Sequence, residues 1–219
     1  MAKSPEHYLD YSVGYSRGEF NPGQVASLYQ FELTYGEVYE GYDFSATVPY
    51  LFLKDDLGNN SGIGDVVLRA GTMLEKKPFD QKGLYGSVAL KLPTASASKG
   101  LGTGEIDLGG FLGYTFGLNE MNMTVTGGYI ITGDSPSQSY SDIFVYGVGL
   151  SKFMGSLYVY GSLDGRQQAI TSSSSDILEL SAGFFYQLKA TRFIKVEGYT
   201  GLNTANSDYG FKIGVVDWF

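Results

Sequence analysis

Residues 43–52 read Asp43-Phe44-Ser45-Ala46-Thr47-Val48-Pro49-Tyr50-Leu51-Phe52, and this stretch decides the fold. Phe44, Ala46, Val48, Tyr50 and Phe52 share one face, while Asp43, Ser45, Thr47 and Pro49 share the other. Successive side chains of an extended chain point opposite ways, so this alternation predicts a strand with one apolar and one polar surface. The beat continues in both directions. Tyr29, Phe31, Leu33 and Tyr35 alternate with Gln30, Glu32 and Thr34. Val66, Leu68, Ala70, Thr72 and Leu74 follow, then Leu84, Gly86, Val88, Leu90 and Leu92. Runs at 8–16, 106–116, 121–132, 143–153, 156–164, 177–188, 193–201 and 209–219 bring the candidate strands to twelve. No stretch carries a helical apolar rhythm.

The connections alternate as well. Long polar segments at Lys54–Gly64, Pro93–Glu105, Gly133–Tyr140 and Gly165–Ser175 trade places with short turns at Gly117–Glu120, Met154–Gly155 and Lys189–Arg192. Strands of about ten residues, with long loops at one end and tight turns at the other, are the pattern of a transmembrane β-barrel. The expected fold is therefore a single all-β domain over residues 1–219, a closed antiparallel up-and-down barrel of about twelve strands.

Composition narrows the function classes. The 219 residues contain no cysteine and a single histidine, His7, so disulfides, thiolate metal sites and most metal clusters are excluded. A net charge of −8 gives no footprint for nucleic acid. Met1-Ala2-Lys3-Ser4-Pro5 carries no apolar signal region, so an export signal is expected to have been removed or never to have existed. Glycine, at 31 residues, and aromatics, at 15%, stand above ordinary usage, and both need a structural reason.

Residue types decide which face meets lipid. Tyr11, Tyr15, Tyr29, Tyr35, Phe44, Phe52, Tyr114, Phe116, Tyr129, Phe144, Phe184 and Tyr186 belong to the apolar faces, as expected of interfacial aromatic girdles. The opposite faces hold Asp10, Glu32, Asp43, Arg69, Lys91, Asp107, Asp164, Arg166, Glu179, Lys195, Glu197 and Lys212. In a soluble sandwich or lipid-binding barrel the apolar face would point inward. In an outer-membrane barrel the sense is reversed, with lipid as the surrounding partner and charges lining the lumen. Tyr209, Phe211, Ile213, Val215 and Phe219 alternate outward, interrupted by Asp217. A terminal Phe on such a strand resembles the signal read by outer-membrane assembly machinery.

Four stretches carry a family resemblance: Val48-Pro49-Tyr50, Gly62-Ile63-Gly64-Asp65, Lys91-Leu92-Pro93-Thr94, and Ser98-Lys99-Gly100-Leu101-Gly102-Thr103-Gly104. Their order and spacing resemble the outer-membrane channel family named for the meta-cleavage pathway of phenol degradation. That resemblance implies a barrel of about twelve strands and uptake of small, often aromatic or hydrophobic, compounds. It supplies no catalytic residue.

Each constellation has a functional and a structural reading. The lumen-facing charges form either a selectivity ladder or a set of salt bridges that fills the interior. Inward Tyr85, Phe111, Tyr158, Tyr160, Phe185 and Tyr199 line a solute path or pack the lumen. Pro49 cannot donate to a ladder and marks a bulge or kink, read as either a lateral opening or a rim distortion. Asp55, Asp56, Asn59 and Asn60 match no calcium loop and read as a solvated turn. His7, ahead of the first strand, has no evident serine partner, so no enzyme activity and no cofactor are expected. The expected function is a passive outer-membrane channel for small solutes. The rival is a non-conducting structural or adhesin-like barrel with a filled lumen.

Overall fold

A computed structural model of the chain describes residues 6–21, 24–56, 58–73, 82–134, 140–167, 176–203 and 207–219. Among them are thirteen strands: β1 (Glu6–Asn21), β2 (Gln24–Tyr39), β3 (Tyr42–Asp55), β4 (Gly58–Ile63), β5 (Val66–Met73), β6 (Gly83–Leu92), β7 (Asp107–Leu118), β8 (Met121–Ile131), β9 (Ile143–Met154), β10 (Leu157–Arg166), β11 (Ile177–Lys189), β12 (Arg192–Gly201) and β13 (Ser207–Trp218). Twelve of them close into an antiparallel barrel, because β1 pairs with β13 and β2 with β3. β4 lies outside the ring and pairs with β3 alone.

The segment Lys54–Gly64, expected as a long loop, is instead mostly strand. β3 runs on to Asp55, and Gly58-Asn59-Asn60-Ser61-Gly62 returns along it. Neither an apolar stripe nor a β-rich composition marks this return, whose backbone pairs with β3. Asp55 Oδ1 accepts from Gly58 N at 2.9 Å and so tightens the connection. The patch Ser172–Ser175 lies outside the described residues.

β4 and β5 run in one direction along β3, Leu51 pairing with Gly62 and Thr47 with Val67, so one extra residue sits between them. Pro49 stands opposite this break, and its carbonyl accepts from Gly64 N at 2.9 Å. In antiparallel pairing a residue's N–H and C=O point to the same side, so the donor that proline lacks faces the interruption. The ladder to β2, where Pro49 stands opposite Glu32, is left intact.

Sidedness follows from exposure. Val13, Phe44 and Leu112 are 54%, 52% and 56% exposed, and Phe31 and Leu180 are exposed too. Among the described residues the buried apolar side chains are only Ala26, Ala95, Leu101 and Val216, so the apolar faces gather no dry core. A surface this apolar requires a nonaqueous surround, as a spanning barrel with every barrel ladder paired would have. The turns at one end are tight. Glu40 and Gly41 join β2 to β3 with φ of +48° and +89°, the left-handed pair that matches strand twist.

Candidate functional site

Side chains two strands apart converge only on the concave face of a closed sheet, and that face carries the ion pairs. Lys212 on β13 reaches across β1 to Glu32 on β2, Nζ to Oε2 at 2.7 Å. Lys195 on β12 reaches across β13 to Asp10 on β1. Tyr85 on β6 crosses β5 and donates to Asp43 Oδ2 on β3 at 2.9 Å, and Tyr160 on β10 crosses β11 to Glu197 on β12.

Glycine makes these crossings possible. A Cβ on Gly214 would lie 2.7 Å from Lys195 Cε, and one on Gly183 would lie 2.7 Å from the Tyr160 hydroxyl. Gly71 sits under Tyr85, Gly36 under Tyr8, Gly210 under Tyr199, and Gly147 under Asp164. Long polar side chains therefore lie flat against the wall, in saddles left by the missing side chain. Part of the glycine in the sequence is explained this way, and so is an inner surface that is polar without projecting into the bore.

Strand registers put the twelve charges and six aromatics assigned to the lumen by alternation on this one face. Asp10, Glu32, Lys91, Asp107, Lys195 and Lys212 are held in ion pairs. Asp43, Glu197 and Asp164 accept from Tyr85, Tyr160 and Ser162. Arg69, Arg166 and Glu179 share the same face. Phe111 lies over Gly128, Tyr158 meets Phe185 in a tilted pair at 6.2 Å between ring centroids, and Tyr199 points towards Ser16 on β1. Asp217, which interrupts the outward apolar set, is neutralised at the turn-side rim by Arg192, Nε to Oδ1 at 2.6 Å, and accepts a hydrogen bond from the Tyr11 hydroxyl.

The four stretches quoted above meet at the loop-side end of the barrel. Lys91 Nζ stands 2.6 Å from Asp107 Oδ2, 2.7 Å from Thr103 Oγ1 and 3.7 Å from Asp65 Oδ2. Asp65 Oδ1 accepts from Ala95 N at 3.0 Å. Thr94 Oγ1 donates to Gly64 O at 2.8 Å and accepts from Val66 N at 2.9 Å. Leu101, only 6% exposed, packs on Gly62, where a Cβ would lie 3.1 Å from Leu101 Cδ1. The segment 93–105 is thereby latched onto the inner side of the β3–β4 hairpin. The sequence displayed these residues but not their convergence, because Asp65 and Lys91 meet only after β5 and β6 pair.

The other mouth joins Tyr158 and Phe185, both expected to face inward, to four rings that the alternation did not single out: Tyr8, Phe153, Phe193 and Trp218. Tyr8 and Trp218 have centroids 5.0 Å apart, and Phe153 and Tyr158 lie 4.5 Å apart. With Phe185 and Phe193 they line a cavity of about 480 Å³. Parity would have found them: Tyr8 shares a face with Asp10, Phe193 with Lys195, and Trp218 with Lys212. His7, at this rim, has Nδ1 2.8 Å from the Tyr35 hydroxyl and its ring stacked near Phe219.

Comparison with solved structures places this architecture among outer-membrane barrels. The chain is similar to the KdgM porin with a TM-score of 0.65 at 10% identity, covering 97% of this chain and 99% of that one. It is similar to the translocator domain of the autotransporter NalP from Neisseria meningitidis, with a TM-score of 0.62 at 12% identity over 100% of this chain and 90% of that one. For the CymD monoaromatic hydrocarbon channel the TM-score is 0.53 at 10% identity, over 100% and 89%. Identities this low speak for the fold alone. No curated protein matches the sequence. The family model described as the MetA-pathway of phenol degradation matches residues 6–218, and the chain belongs to that family.

Proposed function

We propose that this protein is a passive channel of the bacterial outer membrane, through which small solutes, hydrophobic or aromatic ones included, diffuse without cofactor or energy source. The observation that carries the reading is the inverted barrel: an apolar outer belt, and an inner wall whose charges are paired and laid flat over glycine. Paired charges favour weak ion selectivity, since no ring of one sign dominates. Lipid covers the outer face in this reading. Phe219, 66% exposed beside the last ladder, presents its ring where assembly machinery would meet it.

Planar-bilayer recording tests the proposal. A refolded barrel is expected to give reproducible conductance steps, and vesicles containing it to swell in small solutes faster than in large ones. Reproducible silence in both assays would favour the rival, a structural or adhesin-like barrel. Leu101, packed inward at one mouth, and the ring cluster at the other are the features that support that rival.

A further inference from the structure

We propose that the turn-side mouth holds a binding site for one monocyclic aromatic ring bearing a neutral hydroxyl or amine donor. The inference rests on the channel reading and assigns the solute-selecting step to this end of the bore. Tyr8, Phe153, Tyr158, Phe185, Phe193 and Trp218 supply the cavity's rings, and Asp10 and Gln187 supply polar groups in its wall. The rings come from β1, β9, β10, β11, β12 and β13, so the cage exists only once the barrel has closed.

Size and chemistry both point to a ring. An apolar cavity of roughly 150 Å³ is enough to bind benzene, and this one offers about 480 Å³. Tyr158 stands 4.5 Å from Phe153 and 6.2 Å from Phe185, in tilted pairings that a further ring extends. Asp10 supplies the second half of the recognition. One of its oxygens meets Lys195, while Oδ1 is sealed from solvent and accepts no hydrogen bond. A carboxylate has room for several donors, and a buried acceptor left empty is costly. Turning the carboxylate about its soft terminal torsion presents an oxygen to a donor in the cavity. Because Lys195 already balances the charge, the donor best suited is a neutral O–H or N–H rather than a cation.

Trp218 is the one tryptophan of the chain, so its emission reports on this cavity. Barrels refolded in vesicles are titrated with phenol, toluene and cyclohexanol, with excitation at the red edge of the tryptophan band. Phenol is expected to give a saturable change, with toluene, which lacks the donor, about tenfold weaker, the worth of one hydrogen bond, and cyclohexanol, which lacks the ring, weaker as well. In Asp10→Asn, Lys195 keeps the amide oxygen and the amide NH₂ turns to the cavity. Phenol should then weaken about tenfold while acetophenone, a ring with only an acceptor, strengthens. Phe185→Ala should weaken every ring-bearing probe, with folding checked by heat-dependent gel mobility. A linear, unsaturable response, equal responses to phenol and cyclohexanol, or an Asp10→Asn titration identical to the parent's would overturn the proposal. Swelling of the same vesicles in a pentose separates the two readings. Swelling without saturable phenol binding refutes the site alone, whereas binding without swelling or conductance refutes the channel.

Discussion

Replacing Gly71 by alanine should destabilise the barrel through one identifiable clash. A Cβ built there falls on the Tyr85 hydroxyl and its ring carbon, and lies 2.7 Å from Asp43 Oδ2. No backbone atom is among its nearest contacts, so the cost comes from displacing Tyr85. Forcing a side chain out of a filled site costs about 1–3 kcal/mol. Losing the bond from Tyr85 to the Asp43 carboxylate adds about 1.5–3 kcal/mol. Gly71→Ala alone should therefore lose roughly 3–5 kcal/mol, while Tyr85→Phe loses only the hydrogen bond. In a Tyr85→Ala background the clash is gone, and the same glycine substitution should cost less than about 1 kcal/mol. The assay is reversible urea unfolding in phospholipid vesicles, run on the four corners of the cycle. If Gly71→Ala is equally costly with and without Tyr85, the saddle explanation of the glycine content is wrong.

Other perturbations bear on separate parts of the structure. Lys91→Met leaves Asp65 and Asp107 facing each other with most of their side-chain surface covered, and should cost about 2–4 kcal/mol in the same unfolding assay. Asp65→Asn added to it should restore part of the loss. Glu32→Lys should disturb single-channel conductance through repulsion of Lys212, and the swap Glu32→Lys with Lys212→Glu should return it towards the parent value; failure of the swap to do so would show that the pair does not set the local field. Ile213→Arg puts a charge on the outer face near mid-strand and should cost about 2–4 kcal/mol. Its neighbour Lys212 carries a charge inward, so Lys212→Arg should be nearly neutral, and equal penalties for the two would contradict the sidedness.

Alternation made the barrel and its sidedness readable, because a two-residue period assigns each side chain to a face before any partner is known. Glu32 and Phe31, or Lys212 and Ile213, needed nothing more. Partnership was not readable in the same way. Lys195 finds Asp10, 185 residues away, only because β13 lies between their strands. The latch was visible as four quoted stretches but not as one object. β4 escaped notice because Gly58–Ile63 is held by backbone pairing, with no apolar rhythm to announce it. The ring-lined cavity was missed because Tyr8, Phe193 and Trp218 look like girdle aromatics by type, and only parity turns them inward.

The seam between β1 and β13 has a kinetic consequence. All the other ladders join strands close together in the chain, so each can grow as a hairpin or a short return. The seam pairs Tyr8 with Trp218 and Tyr11 with Val215, and it must wait for the first and last barrel strands to meet. Contacts at such separation are slow to form. Assembly should thus pass through a curled, unzipped ribbon with two bare margins, and a strand-like peptide that caps either margin would arrest it there.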